Sequence, residues 1–413
     1  MRILFTTAWY PNRKVAGDGV FVQKHAQAVA LLHDVAVLMV QTDLNVRGRH
    51  IEIETGATKE ASEGALHEVL VYVPKIKHEI PVLTGVLRLF WLLAGYLKGY
   101  RYIKSHFWQG HRPEVCHVNV LTRAALLPWL LHKIHAVPYI ITEHWSRYHR
   151  EGVFPSSRMH LWFTQRVVKD ARYVCPVSLN LEQSMKKWGL ENAHFVRVGN
   201  VVSPIPAMTL QHRVTNEGQS YHSASHKGQL FRFVHVSWMR DDSKNISGIL
   251  RVLSRLNKGR QDWHFDFIGE GNDKAKLVAY AQELGLLENR LVAFLPAQDS
   301  LQLAESLSQY DALVMFSHFE NQPVSVLEAL AAGLPVVATS VGEIPKMLAH
   351  NRGITVPPGN EDQLYEVLRA FVSLSGAQRD DEELRQQRHQ YVTEHHGAEV
   401  IARQFDSLYR SCN

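Results

Sequence analysis

Short apolar runs alternate along the chain with longer, mixed stretches that end in turn residues. In the first half the runs fall at residues 3–6, 35–40, 69–73, 115–118, 139–142 and 173–177. Each has the length and apolar content of a buried strand, and the stretches between them are long enough for a helix. Such alternation predicts an α/β fold built on a doubly wound parallel sheet. A second series, at 231–237, 265–268, 291–295, 312–316, 336–338 and 353–356, predicts a second unit of the same kind. Between the two series, residues 201–229 are polar and irregular, with prolines, spaced glycines and several Ser and His, and read as linker and loop. Residues 398–409 read as a helix. The expected organisation is therefore residues 1–200, a linker at 201–229, and residues 230–397. Two such units offer ligands the carboxyl ends of their strands, so the chemistry is expected in a cleft between them.

One element in the second series carries more than packing information. The stretch 317–339, SHFENQPVSVLEALAAGLPVVAT, reads as strand, loop, helix and strand. Pro323 suits the first helical position, Asn321 and Gln322 precede it, and Gly333 with Pro335 stops the helix before the apolar run 336–339. Glu320 falls in the loop and Glu328 about five residues into the helix, a rise of roughly 7–8 Å at 1.5 Å per residue. That separation matches a diphosphate. The helix start at Pro323, Val324 and Ser325, with its free N–H groups and positive dipole end, would hold phosphate, while carboxylates on either side accept hydrogen bonds from hydroxyls. Sugar, diphosphate and ribose in a row fit this pattern; two solvated acids on one helix are the ordinary alternative.

Composition narrows the partners. A chain of 413 residues with 46% hydrophobic and 21% charged residues is long enough for two globular domains with their own cores. The net charge of +5 suits anionic small ligands or anionic membrane surfaces. Nucleic acid is not indicated, because no basic block is interleaved with aromatics. Cys116, Cys175 and Cys412 are odd in number, far apart and without metal or redox spacing, which points to a reducing compartment. The start of the chain reads as a strand rather than a secretory signal, so cytoplasmic residence is expected. No His, Asp or Glu cluster has metal-ligand spacing, and His132 with His135 is too little, so no metal or other cofactor is expected. The apolar run 89–97, flanked by Arg88, Lys98, Arg101 and Lys104, is too short to span a bilayer. Within residues 81–104 a peripheral membrane helix and an ordinary domain helix both fit.

The string around Glu320 and Glu328 resembles the paired-glutamate signature of the retaining glycosyltransferases of family four, which have the GT-B fold of two facing Rossmann-like domains. The resemblance extends over nearly the whole chain. It implies that Glu320 contacts hydroxyls of the transferred sugar and Glu328 the ribose. In HVSWMRDDSKNISGILRVL it implies that Lys244 binds the donor diphosphate; Arg240 stands where either a shifted counterpart of the family's arginine or a surface charge would. Gly269 and Gly271 in FIGEGNDKAKL resemble the family's donor-domain turn, and Gly19, with Gly17 in the same loop, would face the diphosphate from the first domain. His144, after the strand at 139–142, would lie beside the reacting sugar, with His117 and Glu143 as secondary candidates that fit packing or capping equally well. The last helix, 398–413, would cross back to the first domain.

This sequence departs from the family pattern at Gly342 and Glu343, where relatives often carry two glycines, and at Lys346, where they often carry an acid. The resemblance implies transfer of a sugar from a nucleoside-diphosphate sugar to a hydroxyl of a glycan, lipid-linked or small-molecule acceptor. The expected place of work is the cytoplasm, with peripheral contact at the inner face of the cell membrane as an option. A nucleotide-sugar epimerase on the same plan and a non-catalytic nucleotide-sugar-binding partner are the alternatives.

Overall fold

The structure is a computed structural model that describes residues 1–15, 17–46, 50–61, 63–76, 81–121, 123–149, 154–155, 157–202, 230–288, 290–374 and 381–412. The stretch 203–229, most of the linker expected from sequence, lies outside the described residues. The chain forms two compact units, Met1–Val201 with Ala398–Asn413, and Val202–Gly397.

The strands of the first unit are β1 (Arg2–Thr7), β2 (Asp34–Asp43), β3 (Glu52–Thr55), β4 (Lys59–Glu60), β5 (Ala65–Pro74), β6 (Val115–Asn119), β7 (Tyr139–Glu143) and β8 (Tyr173–Pro176). They make one sheet in the order β3-β5-β2-β1-β6-β7-β8, with β4 also on β5. The long run is parallel, and only β3 and β4 pair antiparallel with β5. Every residue of β6 and β7 is buried, as a parallel sheet covered on both faces requires. The covering helices are α1 (Val20–Ala30), α2 (Pro81–His106), α3 (Leu126–His135), α4 (Arg158–Asp170) and α5 (Leu179–Lys187). On one face α2, α3, α4 and α5 share a core that includes Leu92, Tyr96, Leu131, Val167 and Met185. On the other, Val22, Ala26 and Val29 of α1 pack with Ile401, Phe405 and Tyr409.

The second unit holds β9 (Phe231–Val236), β10 (Trp263–Ile268), β11 (Val292–Leu295), β12 (Ala312–Met315), β13 (Val336–Thr339) and β14 (Gly353–Val356) in the order β11-β10-β9-β12-β13-β14, all parallel. Its helices are α6 (Asp241–Lys244), α7 (Ile246–Asn257), α8 (Lys274–Glu283), α9 (Ser300–Leu307), α10 (Val324–Ala331), α11 (Ile344–Met347), α12 (Glu361–Val372) and α13 (Glu382–His396). α7 forms where it does because Ile246, Ile249, Leu250, Leu253 and Leu256 recur at helical spacing and all are buried. Each such side chain contributes about 1.5–3 kcal/mol of burial. The final helix, α14 (Ala398–Arg410), belongs to the first unit and packs along α1.

The helix considered over residues 81–104 is present as the 26-residue α2, in which Leu92, Tyr96, Tyr100 and Ile103 face the core while Leu89 and Phe90 are exposed. Among the described residues no helix is long and apolar enough to cross a membrane. Pro323 is not the first helical residue: its ψ of 122° is extended, and it caps α10, whose first residue is Val324. β3 and β4, which the sequence reading did not include, rest on the edge of β5, with Ile51 and Ile53 packed against the core of the first unit.

Candidate functional site

In the second unit the carboxyl ends of β9, β10, β12 and β13 are joined by a tight set of loops. Gly269, with φ +148°, presses against the backbone of Ser237, where an added Cβ would lie 2.0 Å from the carbonyl oxygen. Gly271 does the same against Met239, at 2.3 Å. The two loops are then laced together: the Met239 amide donates to the Glu270 carbonyl at 2.7 Å and the Asp241 amide to the Asp273 carboxylate at 2.9 Å. The glycines thus shape the loop that carries α6.

Lys244 closes the single turn of α6, and Asn245, in the left-handed conformation at φ 49°, redirects the chain into α7. From that corner the Lys244 ammonium meets Glu320 at 2.5 Å, across 76 residues of sequence. Both side chains are mostly buried, 21% exposed for Lys244 and 10% for Glu320. The loop that carries Glu320 is fixed from both sides. The His318 amide donates to the Ser243 carbonyl at 2.8 Å, and the Glu343 amide donates to the Asn321 carbonyl at 2.9 Å. Gly342 makes the second contact feasible, because at φ +58° a Cβ there would sit 2.3 Å from the Glu320 carbonyl oxygen. Glu343, the departure from two glycines, caps α11 beside it, and Lys346 lies within that helix.

Glu328 is the fifth residue of α10 and is half-buried. Pro323 has no N–H, so the free amides at this helix start belong to Val324 and Ser325. Asn321 is buried and Gln322 half-buried in the same turn. Arg240 does not join this group: its guanidinium pairs with Asp242 at 2.9 Å and is 52% exposed. His235, under the Ser237 turn, is fully buried, donates from Nδ1 to the Val314 carbonyl at 2.9 Å and accepts from the Ser237 hydroxyl at 2.7 Å. Burial, with a smaller contribution from Lys244, holds its pKa down to about 4, so it is neutral at pH 7.

In the first unit, Gly19 precedes α1 at φ 62° with its Cα against Trp9 and Tyr10, where a Cβ would meet the Trp9 carbonyl at 2.3 Å. Gly17 has open space on its Cβ side. His144 follows β7 and its Nδ1–H donates to the Asn200 side-chain oxygen at 3.1 Å. The His144 ring lies 4.5 Å from Phe21 and 5.2 Å from His25, ring centre to ring centre. Asn200, which the sequence reading missed, carries no local mark of this role. The two secondary candidates turn out to be structural. His117 is fully buried between Tyr409 (2.6 Å) and Thr142 (2.7 Å) and so ties α14 to the sheet. Glu143 accepts from the amides of Leu121, His144 and Trp145 and from the Tyr148 hydroxyl, fixing the loops that follow β6 and β7. Among the described residues no group of three or more His, Cys, Asp or Glu is arranged to hold a metal.

The family comparisons bear on both units. Residues 225–395 match the family described as glycosyl transferases group 1, and residues 17–201 match the glycosyl transferase 4-like domain. The chain belongs to the group 1 glycosyltransferases. This family's members are nucleotide-sugar-dependent transferases. The glycosyltransferase chain is 23% identical to the glycogen synthase of Mycobacterium tuberculosis over 387 residues, covering 90% of this chain and 86% of that one. It is 28% identical to the lipopolysaccharide 1,6-galactosyltransferase of Escherichia coli over 116 residues, 28% of this chain and 32% of that protein, so the match spans about a third of that relative. Among solved structures, Anabaena HepE in complex with UDP-glucose superposes with a TM-score of 0.67 at 14% identity over 100% of both chains, which shows a shared GT-B fold.

The buried histidines of the glycosyltransferase's first unit make its stability depend on pH. Burial holds His25 to about 4 and pushes His117 and His144 well below the ordinary histidine range. The unfolded chain therefore takes up protons below about pH 6.5 that the folded unit refuses, so stability is full above that pH and falls as pH drops towards 4. Each histidine contributes up to about 1.4 kcal/mol per pH unit in that window. Urea unfolding at a series of pH values should show the midpoint falling steeply there; a flat profile between pH 6.5 and 4.5 would mean that these rings protonate in the folded state.

Proposed function

We propose that the protein transfers a sugar from a nucleoside-diphosphate sugar to an acceptor hydroxyl, with retention at the anomeric carbon, in the synthesis of a cell-surface polysaccharide or glycolipid. The observation that carries this reading is the Lys244–Glu320 pair at 2.5 Å, set beside the start of α10 with Glu328 one turn further on. A cation and an acid held together in a mostly buried corner suit a ligand that itself brings an anionic phosphate and neighbouring hydroxyls. Lys244 would pass to the diphosphate and stabilise it most as charge develops on the departing oxygen. Glu320, released, would accept hydrogen bonds from the sugar, and Glu328 from the ribose. The amides of Val324 and Ser325 would support the phosphates.

The leaving phosphate oxygen would take the acceptor proton on the face it leaves, so no side-chain nucleophile enters and configuration is kept. From the first unit, the neutral His144 ring would hydrogen-bond the sugar or acceptor and the loop at Gly19 would approach the diphosphate. Arg240 would need to leave Asp242 to take part. The scheme gives no step to a metal ion. UDP-glucose bound by HepE supports a nucleotide-sugar donor, and the lipopolysaccharide galactosyltransferase relative supports a glycan acceptor. The free cysteines Cys116 and Cys175, buried in the first unit, suit work in the cytoplasm.

A panel of nucleoside-diphosphate sugars tests the reading. One donor is expected to raise the melting temperature and, with an acceptor, to give a glycoside of unchanged anomeric configuration by NMR. Rearranged free sugar without any acceptor would replace the transferase with an epimerase, and inversion would remove the retaining scheme.

A further inference from the structure

Asn119 ends β6 with no exposed surface, and neither its carboxamide oxygen nor its nitrogen has a hydrogen-bond partner among the described residues. Its neighbours across the sheet are already committed. Thr7 of β1 and Thr142 of β7 stand opposite it. The Thr7 hydroxyl donates to the Trp9 carbonyl at 2.8 Å and accepts from the Trp9 amide, while the Thr142 hydroxyl is taken by His117 at 2.7 Å. A buried carboxamide with both ends unmet is costly, and folded proteins keep few of them. The turn that follows is strained as well. Val120, fully buried and β-branched, has φ +61°, and its amide is held by the Thr142 carbonyl at 3.0 Å. The left-handed conformation is rare for such a residue, and strain of this kind gathers where a chain is shaped for a ligand.

The surroundings of Asn119 follow from the strand. It lies two residues after His117 and therefore on the same face of the sheet, the face covered by α1 and α14. β6 runs between β1 and β7. The loop leaving β1 carries Trp9 and the loop leaving β7 carries Trp145, and these rings stand 4.8 Å apart, centre to centre. The two indoles thus meet across the carboxyl end of β6 and roof it. Both are half-buried and pack on the core of this same face. The roof is made of side chains, which can turn aside to admit a ligand. Next to it stand His144 and His25, held neutral by burial. His25 donates from Nε2 to the Gly199 carbonyl at 2.9 Å, and its Nδ1 has no hydrogen-bond partner among the described residues.

These groups are polar and uncharged. A carboxamide offers an acceptor and two donor hydrogens, and a neutral imidazole adds an acceptor. Neighbouring hydroxyls, which donate and accept at once, match that set; a phosphate or carboxylate finds no cation in it. We infer that Asn119 binds hydroxyls of an uncharged pyranose in the first unit, in a subsite roofed by Trp9 and Trp145. The inference rests on the proposed transfer only for assigning that sugar to the acceptor.

The test uses the full chain with the methyl glycosides of glucose, galactose, mannose and N-acetylglucosamine, titrated by saturation-transfer NMR. At least one is expected to bind. Asn119→Leu, which nearly keeps the shape and removes the amide, is expected to weaken that binding about tenfold, as loss of two hydrogen bonds implies. The same change is expected to slow hydrogen exchange of the β6 and β7 amides about fivefold or more, because an unmet buried amide has gone. A residue kept only to hold the fold would give the opposite sign. Asn119→Ala supplies the binding comparison if Asn119→Leu does not fold. No glycoside binding by the unaltered chain, or unchanged affinity in both variants, would overturn the inference. So would unchanged or faster exchange in Asn119→Leu, because a buried water or a protein group would then already satisfy the amide. A chain that transfers sugar from a nucleotide donor but binds no glycoside through Asn119 loses this inference alone. One that binds a glycoside through Asn119 but accepts no nucleotide donor loses the transferase reading alone.

Discussion

Lys244→Ala is expected to lower kcat/KM about 100- to 1,000-fold, the size seen when one preorganised charge or donor aimed at a transition-state oxygen is removed. Most of the loss should appear in kcat, because the leaving diphosphate carries more charge in the transition state than in the bound donor. The same change strips Glu320, only 10% exposed, of the cation that holds it at 2.5 Å. Glu320→Gln separates the two effects, since it keeps the shape and removes the charge. It should cost turnover on a similar scale while the protein still folds with a melting temperature close to that of the unaltered protein. In a double-mutant cycle the two losses should fall well short of adding, because each residue's role depends on the other. Unaltered steady-state kinetics for both single variants would take the pair out of the reaction.

Gly269→Ala is expected to destabilise the second unit by about 2–5 kcal/mol, combining backbone strain with forced overpacking. At φ +148° an alanine is strained whatever the space, and its Cβ would stand 2.0 Å from the Ser237 carbonyl oxygen. The loop cannot retreat freely, since Met239 and Asp241 are hydrogen-bonded to Glu270 and Asp273. A shift there moves α6 and Lys244 with it, so activity should fall even where the variant remains folded. Gly17→Ala is the control: nothing lies within 4 Å of its Cβ position, and stability should change by less than about 0.5 kcal/mol. Urea titration followed by tryptophan fluorescence measures both. If Gly269→Ala unfolds at the same midpoint as the unaltered protein, the close packing of the two loops does not hold in solution.

Much of the fold was legible because buried parallel strands leave unbroken apolar runs. All twelve runs identified from sequence coincide with strands of the two parallel sheets to within a few residues. β3 and β4 were passed over because they are short and mostly exposed, although Ile51 and Ile53 alternate with Glu52 and Glu54 as in a half-buried edge strand. Which face of α2 is buried was harder to read than its extent, because its inward residues, Leu92, Tyr96 and Ile103, share the sequence with outward apolar ones, which blurs the helical period.

The site divides along similar lines. Glu320, Glu328 and the start of α10 were readable because they sit in one stretch with clear helix punctuation. That Lys244 meets Glu320 could not be read, since contact across 76 residues is a property of the folded loops. His117 and Glu143 were ambiguous as sequence and became structural only when their partners, Tyr409 and the amides of Leu121 to Trp145, were in view. Asn200 likewise has meaning only through His144.

The helix α14 makes the first unit discontinuous in the chain, since residues 202–397 intervene between Val201 and Ala398. During synthesis, residues 1–201 therefore leave the ribosome with the face of α1 bare and with His117 lacking the Tyr409 hydroxyl. At ordinary elongation speeds of about 5–20 residues per second, that gap lasts on the order of ten seconds or more. The second unit, continuous in sequence, can complete its own core in the interval. The second unit can thus mature before the first, whose sealing helix follows it in the chain.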